Sequence, residues 1–171
     1  MADEFYDKIQ RRNRMPTEQL LALPDDSELV GGVYCRIAPN GNPTDLESQN
    51  GPQTVVTLVS VTHGIIGNGG LEYLFEGWYP GDLDYSLTLN ALISIGATEW
   101  SIVFSEVLAA LPSYNMPDEV EARHLTFLNI PEPKRDKWFG RLLNSENELI
   151  AKLATYIRKN RDSFTMLQPL E

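Results

Sequence analysis

GNGGLEYLFEGWYPGDLDYSLTLNALISIGATEWSIVFSEVLAAL, residues Gly67 to Leu111, is the stretch whose reading decides the fold. It opens on Asn68-Gly69-Gly70, a turn suited to positive φ, which glycine reaches without steric cost and Asn tolerates better than most residues. Leu71, Leu74, Phe75 and Trp78 follow at i, i+3, i+4, i+7, the spacing of one helix face. Pro80-Gly81 breaks that helix, and Asp82 or Asp84 is placed to cap the next, Leu83 to Ile95. There Tyr85, Leu89 and Leu92 form one stripe and Leu87, Ala91 and Ile95 another, which predicts a helix apolar on two sides. Gly96 stands where a helix C-terminus needs a left-handed residue. Ala97 to Leu111 then carries Trp100, Val103, Phe104, Val107, Leu108 and Leu111 at amphipathic spacing.

Working outward toward the N-terminus, Thr54 to Ile66 reads two ways. Val55, Val56, Val59, Val61 and three threonines favour a strand by propensity. The spacing Val55, Leu58, Val59, Thr62, Ile66 favours a buried helix. Pro39 to Pro52 is rich in Pro, Gly and Asn and reads as a long surface loop. Helices are expected over Glu4 to Arg14, Thr17 to Leu23 and from the Asp25–Ser27 caps to Ile37. The first has its acids early and its bases late, as the helix dipole prefers. Toward the C-terminus, Pro117 to Leu128 reads as a short helix and Pro131-Glu132-Pro133 as a break. Lys134 to Leu143 is basic and aromatic. Ser145 and Glu148 have capping-box spacing before a last helix that ends near Arg161.

Charge divides the 171 residues into unequal parts around a net −10. Met1 to Arg36 has 7 acids and 5 bases, and Arg123 to Glu171 has 6 acids and 9 bases. Between them Ile37 to Ala122 has 11 acids and not one Lys or Arg over 86 residues. Those carboxylates are solvated, or pair with the basic C-terminal part, or face a basic partner; a solubilising role alone is the plain alternative. The cluster Lys134, Arg135, Lys137, Trp138 and Arg141 is expected to pair with the acidic middle, because a chain this acidic is repelled by nucleic acid.

No complete catalytic site stands out. Gly64 to Gly70 is glycine-rich but lacks the Lys-Ser/Thr of a phosphate loop, and no nearby cation would meet a phosphate. His63 and His124 lie in no HExxH or paired-ligand spacing, so no metal or cofactor is expected. Cys35 is alone, which excludes an intramolecular disulfide and suits a buried thiol. No uninterrupted apolar run reaches the roughly 18–20 residues of a membrane span, and the N-terminus does not read as a secretory signal. A cytoplasmic location without membrane contact is therefore expected.

The order NGG–Leu–x–Tyr–Leu–Phe, an acidic Gly-bearing loop, then Ala-Leu-x-x-Ile-Gly-Ala resembles a bacterial helical domain family of unknown function. That family includes DNA mimic protein nineteen, an acidic all-helical dimer that occupies a transcription factor's DNA-binding surface. The matching residues are Asn68, Gly69, Gly70, Leu71, Tyr73, Leu74, Phe75, Ala91, Leu92, Ile95, Gly96 and Ala97. Gly67 departs from the family's first Asn, and Glu72-Tyr73 from its usual polar residue and Gln. The resemblance implies that Thr54 to Ile66 is helical and that the chain is an all-α single domain over 1–171, with seven to nine helices and a family-like core at about 54–112. It also implies a homodimer and a basic partner protein, one that ordinarily binds nucleic acid. Glu72, Glu76, Asp82 and Asp84 are the leading candidates for the docking surface. The competing expectation is a small hydrolytic or small-molecule-binding enzyme built on His63, Glu72, Glu76 and Asp82 around the glycine turn.

Overall fold

Gly70 sets the geometry of the fold. Its backbone sits at φ 72°, ψ −173°, a region essentially closed to residues with a Cβ, and it bends the chain between two helical segments. The computed structural model describes residues 2–39, 46, 49–76, 85–111 and 120–170, and it includes the side chains of 6–39, 46, 49–76, 85–111 and 121–170. These form α1 (Ala2–Arg14), α2 (Thr17–Leu20), α3 (Asp26–Ile37), α4 (Gly51–Glu76, bent at Gly70), α5 (Ser86–Ser94), α6 (Thr98–Ala110), α7 (Val120–Leu128), α8 (Glu132–Asn144) and α9 (Glu146–Lys159). A 3-10 turn, Arg161–Phe164, follows. Among the described residues there are nine helices and no strand, and the fold is all-α.

The ambiguous Thr54 to Ile66 is helix, within α4. Its threonines are accommodated because their hydroxyls find local acceptors: Thr62 Oγ1 donates to the Leu58 carbonyl at 2.7 Å, and Thr57 Oγ1 to Gln49 Oε1 at 2.8 Å. Val56, Val59, Thr62 and Ile66 are buried at helical spacing, so tertiary burial overrides strand propensity. The expected loop 39–52 ends early. Asn50 Oδ1 accepts from the Gln53 amide at 3.0 Å and caps a helix that starts at Gly51. The remainder of that loop, 40–45 and 47–48, lies outside the described residues. By length and composition α4 is long and apolar enough to cross a membrane, which the interrupted run did not suggest. In this fold its buried face packs on α3, α5, α7, α8 and α9.

The turn after α5 is a Schellman motif: Gly96 N–H donates to Ile93 O at 3.0 Å and Ala97 N–H to Leu92 O at 3.1 Å, with Gly96 at φ 74°. The start of α5 differs from expectation. The helix begins at Ser86, and Tyr85, at φ 59°, occupies the cap. Asp82 and Asp84 lie outside the described residues. Tyr85 is held in this conformation by its ring, which is fully buried 5.2 Å from Phe75 and 6.3 Å from Phe104. One of the two expected apolar sides of α5 is incomplete, since Leu87 is exposed.

Two boundary readings near the C-terminus are corrected. Helix α8 begins at Glu132 and takes Pro133 into its first turn, where a missing N–H leaves no bond unmade. Ser145 forms no capping box. It alone separates α8 from α9, and its hydroxyl donates back to the Arg141 carbonyl at 2.9 Å. Asp25, by contrast, caps α3 as expected, accepting from the Glu28 amide.

A buried arginine ties the N-terminal helices together. Arg36 donates to Thr17 Oγ1 at 2.8 Å and to the carbonyls of Arg12, Asn13 and Met15, covering acceptors left open where α1 ends. Burial lowers its guanidinium pKa. Cys35 is only half-buried, in weak contact with Arg12 at 3.8 Å, where a buried thiol was expected.

Candidate functional site

Beyond the Gly70 bend, the short segment Leu71–Glu76 turns Leu71, Leu74 and Phe75 into the core. Phe75 stacks on Phe127 with centroids 4.6 Å apart. Glu72 and Glu76 then share the outward side, one helical turn apart. Glu72 is not free. Its Oε2 accepts from Arg135 Nη1 at 3.0 Å, and its Oε1 lies 3.1 Å from His124 Nε2. Glu76 is exposed. A hollow of about 350 Å³ lies beside the bend, lined in part by Asn68, Gly69, Gly70, Glu72, Arg135 and Phe139. Glu72 pairs with Arg135, the one Lys or Arg among the described lining residues.

The basic-aromatic cluster on α8 meets the acidic middle as expected. Arg141 Nε donates to Glu99 Oε1 at 2.6 Å and its Nη1 to Glu106 Oε2 at 2.8 Å, while Trp138 Nε1 also donates to Glu106 Oε2 at 2.8 Å. These bonds clamp α6 to α8. They raise the Arg141 pKa, the Glu99 bond most, and they hold the Glu106 carboxyl below its usual range, with Arg141 the main cause. Lys134 sits 4.8 Å over the Trp138 ring. Which acids pair with which bases was not legible from spacing, because the partners are 35 to 63 residues apart.

His63 lies elsewhere. Its Nε2 is 2.7 Å from Glu146 Oε1, at the edge of a cavity of about 450 Å³ between α3, α4 and α9. His63 and Glu72 thus line separate hollows. The enzyme constellation His63–Glu72–Glu76 is not assembled, and its fourth member, Asp82, is outside the described residues. Among the described residues no group of three His, Cys, Asp or Glu could hold a metal ion. The His63–Glu146 pairing spans 83 residues, and no local signal announces it.

A family model described as DMP19-like protein matches residues 47–160, more than half of the chain. No curated protein and no solved structure matches. The chain therefore belongs to the DMP19-like protein family.

Proposed function

We propose that this member of the DMP19-like family acts by binding rather than by catalysis, as a DNA-mimic-type regulator. Its carboxylates dock on a basic protein surface of the kind that holds nucleic acid. The observation that carries this reading is the 86-residue segment Ile37–Ala122, with 11 acids and no base. Among the described acids of that segment, Glu72, Glu99 and Glu106 pair with α7 and α8, while Glu76 and Glu121 take part in none of these pairs. Glu76 and Glu121 are exposed, and Asp82 and Asp84 follow Glu76 closely in sequence. Such a one-signed surface speeds encounter with a basic partner and discriminates against acidic ones. The hydrolytic alternative gains no support, since His63 and Glu72 face different hollows.

The test is a charge-reversal comparison. The triple variant Glu76→Lys, Asp82→Lys, Asp84→Lys leaves the Glu72–Arg135 pair alone. It should keep the native melting temperature but associate with the captured partner about tenfold more slowly or worse. The wild-type complex should dissociate in high salt, and duplex DNA should compete with it. A complex insensitive to salt, to DNA and to the triple reversal refutes the mimic reading.

A further inference from the structure

The cavity between α3, α4 and α9 has the features of a small-molecule site that the docking function does not use. At about 450 Å³ it falls within the roughly 300–1,000 Å³ range of small-ligand pockets. Its walls are apolar, formed in part by Val30, Val59 and Leu153. Its polar groups include Ser27 and Tyr34 on α3, Ser60 and His63 on α4, and Glu146 and Asn147 on α9.

Three observations carry the inference. Ser60 Oγ is buried on the cavity wall and has no hydrogen-bond partner, a state that proteins ordinarily avoid. Gly64 lies in the interior of α4 on the same wall, and a Cβ added there would meet nothing within 4 Å. Glycine costs a helix interior about 1 kcal/mol relative to alanine. No neighbour demands it here, so its effect is to leave the cavity open. Third, the described lining residues include a carboxylate and no Lys or Arg. Glu146 uses Oε1 for His63, which leaves Oε2 to accept from a ligand.

We propose that this cavity binds a small apolar amine, with the ammonium at Glu146, the hydrocarbon part against Val30, Val59 and Leu153, and Ser60 supplying a hydrogen bond inside. A carboxylate ligand of the same shape is disfavoured, because it would meet Glu146 with no Lys or Arg among the described lining residues to offset the repulsion.

The test uses the full chain and two probes of similar shape and opposite charge, 2-phenylethylamine and phenylacetate, followed by two-dimensional amide NMR. The amine should bind saturably, with shifts centred on Ser60, His63, Gly64 and Glu146, and at least about tenfold more tightly than phenylacetate, the size of one charge-assisted hydrogen bond. Gly64→Leu should fill the cavity, abolish the shifts and leave the melting temperature unchanged or raised. Glu146→Gln should weaken the amine about tenfold while leaving phenylacetate no weaker. Shifts scattered over the acidic surface, equal binding of both probes, or amine binding undiminished in both variants overturns the proposal. None of these readouts depends on the partner-docking surface, so this site and the mimic reading stand or fall separately.

Discussion

Replacing Gly70 with alanine isolates the physical reason for the bend in α4. A Cβ at Gly70 would lie 3.9 Å from Phe139 Cε2, an ordinary contact, so packing contributes little to the loss. The backbone contributes most of it. At φ 72°, ψ −173°, an alanine occupies a region that is essentially glycine-only, at about 1–3 kcal/mol. The lower entropy of the unfolded alanine chain offsets about 0.4–1 kcal/mol where the native backbone is compatible, and here it is not. The expected destabilisation is therefore about 1–3 kcal/mol, or roughly 2–12 °C in melting temperature for a chain of this size. Gly64→Ala is the internal control. It sits in regular helix with open space at its Cβ and should stabilise by up to about 1 kcal/mol. Urea unfolding followed by circular dichroism and tryptophan fluorescence measures both. If Gly70→Ala is as stable as Gly64→Ala, the bend does not depend on left-handed backbone at this residue. Gly69→Ala should also destabilise, for a different reason: its Cβ would fall 2.6 Å from Tyr73 Cβ, so the Tyr73 stem must move.

Two further outcomes are expected. Phe75→Ala removes a fully buried ring stacked on Phe127 and packed against Tyr85, and should lower stability by about 3–5 kcal/mol; a loss below about 1 kcal/mol would mean that this aromatic cluster is not the core of the bend. The Glu106 carboxyl is held below its ordinary 4.5 by Arg141 and Trp138, so its contribution is fully present above 4.5 and is lost as the pH falls through the lower folded value. The urea midpoint of wild type should accordingly exceed that of Glu106→Gln at neutral pH, with the gap closing on acidification below 4.5, and a gap constant down to about pH 3 contradicts the assignment.

Sequence alone determined those features whose cause is local. Asn68–Gly70 and Gly96 stood out because two of these positions need backbone that glycine alone adopts freely, and φ values of 72° and 74° bear this out at Gly70 and Gly96. The α6 stripe of Trp100, Val103, Phe104 and Val107 is buried as its spacing required. The charge partition also announced that α8 would meet the acidic middle. What tertiary structure decided is non-local. Thr54 to Ile66 became helix because one of its faces is buried, with Val56, Val59, Thr62 and Ile66 turned inward, a gain that strand propensity cannot register. Ser145 failed as a capping box because α8 ends one residue before it and takes its hydroxyl. Glu72 looked like an open surface acid until folding brought Arg135 to it from 63 residues away. His63 likewise acquired Glu146, a carboxylate no spacing rule connects to it, and the cavity beside the pair exists only where α3, α4 and α9 cross. Local backbone chemistry is written into short stretches of residues. Pairings between distant side chains depend on how helices pack, and packing is a property of the whole chain.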